Sequence, residues 1–319
     1  MLGRPKSGRL RRLLEGAPLR LAPDRLNLAI ARRCDVACAG CYTVFGHLEP
    51  NLPSFLSAAR EFARLGVVNV TISGGDPLNL PGLMDFMSAL RTAGVKSIKL
   101  DTVGVGLVSA PRRTNMNLVD LLKGVDFLGI PLDGWSDASV LQFRRGRSHL
   151  YSETIELLRV IDTLRGPPKL IINTVAHRNN VEHLERIRDE LVRHSSVCHW
   201  NVFQYTATDQ ANDFSNMLYS VDDQTFEIFR TRMFAQVPSD SGIRTSFPFE
   251  FRTSRSRLGQ YLLVNSDGEA WLPDEVGKTV RLGSIFGRET EILEKWSHIV
   301  TGLVSRPPSS LSEASRIAK

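Results

Sequence analysis

The stretch that decides the fold runs from Leu26 to Cys41 and reads LNLAIARRCDVACAGC. It begins with a short apolar run bounded by charge, which is the pattern of a buried strand. It continues with three of the chain's four cysteines, Cys34, Cys38 and Cys41, in the spacing C-x3-C-x2-C. Because one disulfide uses only two thiols, three thiols grouped so closely indicate metal ligands rather than a cross-link.

The number of thiols bears on which metal group they hold. A closed structural zinc site needs four ligands, and the fourth would have to come from a residue such as His47, at no recognised finger spacing. A 4Fe–4S cluster is also usually held by four thiolates, so three of them leave one iron open to a chelating co-substrate. The spacing therefore favours an iron–sulfur cluster on Cys34, Cys38 and Cys41, with zinc as the alternative.

A second motif, SGGDP at residues 73–77, follows a β-branched run. Together the two motifs resemble those of radical S-adenosylmethionine (radical SAM) enzymes, in which an aromatic residue, here Tyr42, follows the last cysteine. In that family the open iron chelates SAM, and the reduced cluster cleaves SAM to a 5′-deoxyadenosyl radical. The family motif is Gly-Gly-Glu-Pro, and its glycine carbonyls receive the SAM amino group. The resemblance implies that cofactor contacts come from Tyr42, Gly74, Gly75, Asp76 and Pro77.

The resemblance extends to the ends of later strands, where family members contact SAM or substrate. It implies further cofactor contacts from Asp101, Thr102, Asp133, Arg145, Asn173, Phe203 and Gln204. An arginine suits this role because a guanidinium forks onto a carboxylate, and Arg144 and Arg147 are alternatives to Arg145. The remaining cysteine, Cys198, is either a small buried hydrophobe or a thiol that donates a hydrogen atom to a substrate radical.

Strand patterns alternate with helix patterns along most of the chain. Strands are predicted at residues 26–30, 67–72, 97–100, 127–130, 170–175 and 200–205. This alternation indicates βαβ units and a parallel sheet. It predicts an α/β fold, a partial (βα)6 TIM-like barrel with a short C-terminal α+β extension. Right-handed crossovers bring the carboxyl ends of the strands to one face, so the cysteine loop and the glycine motif should meet there.

The chain divides, by composition, into four predicted parts. These are a basic N-terminal arm (1–23), the barrel core (24–205), an extension covering the barrel (206–304) with a polar loop and a hairpin around 261–271, and a disordered tail (305–319). The formal net charge of +6 lies mostly in the first 25 residues, so the near-neutral body argues against nucleic-acid binding. The arm is either solvated or in contact with an acidic partner or membrane surface, and its composition also resembles a transit peptide.

We expect a cytoplasmic enzyme, because the sequence has no signal peptide and no apolar run of the roughly 20 residues that cross a bilayer. The resemblance implies hydrogen abstraction from a substrate, with a reducing partner such as flavodoxin or ferredoxin. The near-neutral body favours a small polar metabolite of sugar, cyclitol or nucleoside type. Residues 172–175 and 200–204 also resemble viperins, which dehydrate nucleoside triphosphates, although Ile171 and Asn201 stand where viperins carry lysines. The second alternative is a zinc-stapled, non-enzymatic α/β binding protein.

Overall fold

A computed structural model describes residues 10–12, 19–43, 45–46, 49–108, 117–167, 169–207, 213–235, 247–274 and 277–304. The predicted disordered tail, most of the predicted basic arm and His47 lie outside the described residues. In the described part of the arm, Leu10–Arg12 (β1) and Leu19–Leu21 (β2) pair as antiparallel strands, which the sequence did not predict. Within the described ranges, no helix is both long enough and apolar enough to cross a bilayer.

The other strands and the helices follow in chain order. The strands are β3 (Arg25–Ala31), β4 (Ala37–Cys38), β5 (Asn69–Gly74), β6 (Ser97–Asp101), β7 (Phe127–Pro131), β8 (Arg144–Arg145), β9 (Lys169–Ala176), β10 (Val197–Gln204), β11 (Phe249–Arg252), β12 (Tyr261–Asn265), β13 (Glu269–Pro273) and β14 (Thr279–Ser284). The helices are α1 (Leu52–Arg64), α2 (Leu83–Thr92), α3 (Leu118–Gly124), α4 (Asp137–Leu141), α5 (Leu150–Asp162), α6 (Leu184–Leu191), α7 (Asp213–Tyr219), α8 (Asp223–Ala235), α9 (Ser254–Arg257) and α10 (Glu289–Val304). Short 3₁₀ turns lie at Pro77–Asn79 and Val181–His183.

One large sheet has the strand order β11-β10-β9-β7-β6-β5-β3-β12-β13-β14. Neighbours from β11 to β12 are parallel, and the two pairings beyond β12 are antiparallel. The six predicted strands are β3, β5, β6, β7, β9 and β10, and they stand in chain order, which confirms the α/β fold with a parallel sheet. Among the described residues no ladder joins β11 to β14, so this part of the chain forms an open, partial barrel.

The two faces of the sheet differ in polarity. Strands in chain order with right-handed crossovers carry their helices to one side, and the residues facing that side, such as Leu28, Ile72 and Leu100, are completely buried. Successive side chains point to opposite faces, so the intervening residues face the other way. We call this second side the inner face. Several of its residues are only partly buried, among them the polar side chains of Asn27, Lys99, Asp101 and Asn173 and the ring of Phe203.

Local signals explain where the first helix, α1, begins and how it packs. The Asn51 side chain caps its amino end by accepting the Ser54 amide over 3.2 Å, and Pro53 lies in its first turn. Its apolar stripe, which includes Phe55 and Phe62, is buried against the outer side of the sheet. The residues just after the cysteine loop are therefore anchored to the core.

The C-terminal extension joins the same sheet. β12 pairs in parallel with β3, and the predicted hairpin is confirmed as β12 and β13. The sequence did not predict α10, which packs on β14 and α1 with Ile292, Leu293 and Trp296 buried. The predicted polar loop over 206–221 was wrong in part, because α7 occupies residues 213–219.

Candidate active site at the carboxyl edge of the sheet

The cysteine loop lies between β3 and α1, at the carboxyl end of the parallel strands. Its three cysteines are free thiols, and each is partly exposed. The middle of the loop is pinned to the segment after β7. There β4 pairs with β8, which sets Cys38 opposite Arg144, and the Ala39 amide donates to the Phe143 carbonyl over 2.9 Å. Backbone pairing therefore fixes where the thiols lie.

A buried ion pair supports this loop. Arg144 donates from Nε to the Asp133 carboxylate and from Nη1 to the Cys38 sulfur, the latter over 3.1 Å. Asp133 is completely buried and also accepts the Val175 amide over 2.7 Å. Burial raises the pKa of Asp133 and opposes the charge on Arg144, but the neighbouring carboxylate keeps the pKa of Arg144 above its ordinary value. Asp133 is thus engaged within the protein, and its direct contact with the cofactor stays a prediction.

Without metal, the environment of the thiols favours their protonated form. Burial raises the pKa of Cys34 to about 12 and also raises that of Cys38, where Arg144 opposes the effect. Metal binding displaces such protons, because the thiolate is the ligand. Among the described residues, no three His, Cys, Asp or Glu side chains are grouped so as to hold a metal ion. That finding concerns a single ion, whereas a cluster carries its thiolates on several irons.

The glycine motif follows β5 and lies beside the cysteine loop. The Gly75 amide donates to the Ala31 carbonyl over 2.7 Å, and the Thr43 hydroxyl donates to the Gly74 carbonyl over 2.9 Å. A Cβ on Gly74 would lie 2.5 Å from the Ala31 oxygen, and one on Gly75 would lie 2.2 Å from the Arg33 oxygen. Two backbones approach this closely only where there is no side chain. The motif thus joins the glycine turn to the start of the cysteine loop.

Replacing Gly75 with Ala should destabilise this junction. The new methyl would overlap the Arg33 carbonyl, and such overpacking typically costs about 1–3 kcal/mol of unfolding free energy. Gly302→Ala is the matched control, because a Cβ there meets open space in α10 and should be neutral or stabilising by up to about 1 kcal/mol. Urea unfolding of both variants checks this, and a Gly75→Ala protein as stable as the wild type would contradict it.

Asp76 lies behind the glycine turn. Its carboxylate is completely buried and accepts the Thr102 hydroxyl over 2.5 Å and the Leu78 and Val103 amides over 3.1 and 3.3 Å. Burial raises the pKa of Asp76 to about 6, although these bonds favour the charged form. Pro77 is also buried, at the start of a 3₁₀ turn. Asp76 and Thr102 join the ends of β5 and β6, and their direct contact with the cofactor stays a prediction.

A polar row crosses the inner face and contains two predicted site residues, Asp101 on β6 and Asn173 on β9. Asp101 pairs with Lys99 over 2.8 Å. Asn173 donates to Asp101 over 3.5 Å and accepts from Asn201 over 3.0 Å. Gly129 on the intervening strand leaves space for the Asp101 carboxylate, because a Cβ there would lie 1.8 Å from an Asp101 oxygen. The sequence missed Lys99 and the contribution of Asn201 to this row.

The aromatic residue after the last cysteine, Tyr42, packs against the C-terminal hairpin. Its ring lies edge-on to Trp271 on β13, with ring centroids 5.8 Å apart. Trp271 in turn donates from its indole nitrogen to Asn265 over 2.9 Å. Burial raises the pKa of the Tyr42 phenol. The extension therefore contacts the cysteine loop directly, and sequence reasoning missed Trp271 because some 230 residues separate the two rings.

Two predicted cofactor contacts point elsewhere. Gln204 donates to the Val221 carbonyl over 2.9 Å and to Asp223 over 2.8 Å. It does so because its side chain alternates with that of Phe203 and faces the helices, an orientation that does not support the predicted cofactor contact of Gln204. Arg145 is exposed and donates to the Tyr219 hydroxyl over 3.0 Å, so its proposed role toward a carboxylate stays a prediction.

Cys198 lies at the wrong end of the sheet for hydrogen donation. It is the second residue of β10, while the cysteine loop lies beyond the carboxyl ends of the strands. At about 3.3 Å per residue, the carboxyl end of β10 is about 20 Å away. This position does not support the hydrogen-donor alternative and favours a small, partly buried hydrophobe.

His177, to which the sequence assigned no chemistry, is completely buried near the ion pair. Its ring stacks on Phe143 with centroids 4.6 Å apart, and its Nδ1 accepts the Asn179 amide over 3.2 Å. In the described residues its Nε2 has no hydrogen-bond partner. Burial, and secondarily the charge on Arg144, lower the pKa of His177 to about 3.

Acidification should therefore destabilise the protein through His177. The unfolded imidazole takes up a proton below about pH 6.5, whereas the folded one stays neutral until about pH 3, so stability present above pH 6.5 is lost as the pH falls. The loss is about 1.4 kcal/mol per pH unit, or about 2 kcal/mol between pH 6.5 and 5. His177→Phe keeps the stacking on Phe143 but has no imidazole to protonate. Between pH 6.5 and 5 its free energy of unfolding, measured in urea, should therefore fall by about 2 kcal/mol less than that of the wild type. Equal losses in both proteins would contradict this.

Comparison with known proteins shows the family to which the chain belongs. The Radical SAM superfamily model matches residues 28–191, which include the cysteine loop and the glycine motif. The chain belongs to the Radical SAM superfamily. Members of this superfamily use a 4Fe–4S cluster and SAM, which are the two cofactors that the sequence predicted.

Relatives of this radical SAM chain include proteins associated by name with peptides. It is 29% identical over 172 residues to a PqqA peptide cyclase of Streptomyces rochei, a match that covers 53% of this chain and 44% of that one. The structure of Streptococcus suis SuiB bound to precursor peptide SuiA matches with a TM-score of 0.67 at 14% identity. The match covers 92% of this chain and 69% of the SuiB chain. The structure of anSMEcpe with bound AdoMet and Cp18Cys peptide matches with a TM-score of 0.62 at 15% identity. This match covers 89% of this chain and 84% of the anSMEcpe chain. The chain thus matches less than half of the curated relative, and the structural likeness shows the fold alone.

Proposed function

We propose that this protein reductively cleaves SAM and removes a hydrogen atom from a small polar substrate on the inner face of the sheet. One observation carries the proposal. Outer-face residues such as Leu28, Ile72 and Leu100 are completely buried, but on the inner face polar side chains such as Asp101 and Asn173 are partly exposed below the edge where the cysteine loop meets the glycine motif. Partly exposed polar side chains on an otherwise packed sheet can bind the polar groups of a ligand.

The residues at this edge fit the two cofactors. Cys34, Cys38 and Cys41 would hold the cluster, because they are free thiols on one loop and a guanidinium lies against one sulfur. Gly74 and Gly75 leave a turn with no side chain, which lets a small zwitterion approach the backbone. When bound, the reduced cluster and SAM supply a radical that abstracts hydrogen.

The protein's own side chains position the cysteine loop and the substrate and shield the site from water. Arg144 and Asp133 hold the loop and place positive charge near the ligating sulfur of Cys38. The contact between Tyr42 and Trp271 covers one side of the edge and limits the entry of water. The row that contains Asp101, Asn173 and Asn201 offers amide and carboxylate groups to a substrate's hydroxyl or amide groups.

Peptide modification is the second candidate. It rests on the names of the relatives, PqqA peptide cyclase and SuiB bound to a precursor peptide. The polar row of Asp101, Asn173 and Asn201 offers a few hydrogen-bonding groups, which suit a small polar substrate. The viperin-like nucleotide dehydratase stays an unconfirmed prediction, because these relatives do not support that subtype.

The test is anaerobic turnover of the reconstituted protein, with dithionite in place of the reducing partner that we predict. 5′-Deoxyadenosine is measured with SAM alone, with panels of sugars, cyclitols and nucleosides, with each nucleoside triphosphate, and with short peptides. We expect basal formation and stimulation by a member of the small-molecule panels. Stimulation by peptides alone would favour the second candidate, and no 5′-deoxyadenosine under any condition would contradict the proposed function.

A further inference from the structure

Two guanidinium groups flank one ring near the carboxyl end of β10. The Cζ atoms of Arg252 and Arg257 lie 5.9 and 5.6 Å from the centroid of Phe203. Phe203 is partly exposed on the inner face and lies two residues beyond Asn201 on the same strand face, about 7 Å further toward the cysteine loop. The two cations therefore lie between the polar row and the cofactor edge.

Only one of these cations is neutralised by the described residues. Arg252 pairs with Glu250 over 2.7 Å and donates to Gln260 over 2.8 Å. Arg257 donates only to neutral acceptors, the Thr206 hydroxyl over 2.8 Å and the Thr253 carbonyl over 3.3 Å. Within the described ranges it has no carboxylate partner.

The surroundings of Arg257 hold the guanidinium in place. Its contact with the Phe203 ring and its bond to Thr206 restrict it from two sides. Gly277 packs closely over the same segment, since a Cβ there would lie 2.7 Å from the Thr206 methyl. An oriented guanidinium with no carboxylate partner among the described residues, beside the polar row, is an arrangement that binds a carboxylate or phosphate in a forked geometry.

We propose that Arg257, held in position by Thr206, binds a single anionic group of the substrate, a carboxylate or a phosphate, while the row containing Asn173 and Asn201 binds its neutral polar part. This rests on the proposed function, because it names the class of substrate for that site. One cation with no carboxylate partner in the described part of the chain matches one anionic group rather than a triphosphate. The substrate is thus a small polar acid or phosphate ester.

The test measures anion binding on the cluster-loaded protein with SAM, using inorganic phosphate in one arm and acetate in the other. Bound anion raises the unfolding temperature, which yields an apparent dissociation constant. We expect stabilisation of the wild type, and the stronger arm identifies the anionic group. Arg257→Gln should weaken that binding at least about tenfold, since hydrogen bonds to charged groups contribute about 1.5–3 kcal/mol. Arg257→Lys keeps the charge but loses the forked geometry of the guanidinium, so its affinity for the anion should lie between those of the wild type and Arg257→Gln.

The matched control is Arg255→Gln, which removes a positive charge from the same short helix and should bind the anion like the wild type. Equal anion binding by Arg257→Gln and the wild type would overturn the inference, as would the absence of stabilisation by either anion. A loss of SAM affinity in Arg257→Gln in place of anion affinity would also overturn it, since Arg257 would then serve the cofactor. None of these outcomes depends on turnover, so failure of the proposed function is recognised separately in the 5′-deoxyadenosine assay.

Discussion

Replacing Cys34, Cys38 or Cys41 with Ala should abolish the formation of 5′-deoxyadenosine from SAM. Each substitution removes one of the three thiols on the loop, and a cluster that already keeps one iron open has no spare ligand. We expect product below the detection limit and a sharp drop in bound iron for each variant after identical anaerobic reconstitution. The readouts are chromatographic detection of 5′-deoxyadenosine and an iron assay.

Cys198→Ala is the matched control for these variants. It removes the remaining cysteine of the chain, but from the far end of β10, and should change the free energy of unfolding by about 1 kcal/mol or less. Iron content and 5′-deoxyadenosine formation should stay at wild-type levels. Product formation by any of the three loop variants would contradict the assignment of the ligands, and loss of product in Cys198→Ala would contradict the position given to that thiol.

Replacing Arg144 with Met should cause the largest loss of stability among single substitutions at this site. It leaves the carboxylate of Asp133 unpaired at a completely buried position, and breaking a buried pair in this way typically costs about 3–5 kcal/mol. Urea unfolding measures the loss. Asp133→Asn in the same protein removes the stranded charge and still accepts the Val175 amide, so the double variant should recover most of the stability.

Arg147→Met provides the comparison for the buried pair. Arg147 pairs with Glu153, but about a quarter of each side chain is exposed (26% and 22%), so the loss should be about 1 kcal/mol or less. A loss for Arg144→Met as small as that for Arg147→Met would contradict the view that Asp133 is charged and buried. A double variant less stable than Arg144→Met alone would contradict it as well.

The strands of the core were predictable because their signal is local. The β-branched run at 67–72 and the apolar run at 26–30 each lie within one segment and need no partner to be recognised. The cysteine loop and the glycine motif were predictable for the same reason, since each is a short pattern of unusual residues. Their meeting at one edge followed from the handedness of parallel crossovers.

Contacts between distant segments were not predictable. The approach of Arg144 to Cys38 spans 106 residues, and only the pairing of β4 with β8 brings them together. The parallel pairing of β12 with β3 depends in the same way on how the extension returns to the sheet. Nothing in the local sequence around Arg257 distinguishes it from other arginines until Phe203 and Thr206 are placed beside it.

Two site predictions that this geometry does not support had a contrary signal in the sequence. Phe203 and Gln204 are adjacent on a strand, so they cannot both face the inner side, and the alternation of a strand excludes one of them. Cys198 precedes the predicted strand at 200–205, so it belongs to the end opposite the cysteine loop in any parallel sheet. Helix α10 also had a signal, because Ile292, Trp296 and Val300 recur at helical spacing.

The most direct test of the central claim is an absorption spectrum with an iron and sulfide count on the anaerobically reconstituted protein. A 4Fe–4S cluster on Cys34, Cys38 and Cys41 predicts a brown protein with about four irons and about four sulfides per chain, whose broad visible band bleaches on addition of dithionite. A colourless protein that holds one zinc ion would contradict it, and the cysteine loop would then be a structural staple of an α/β binding protein.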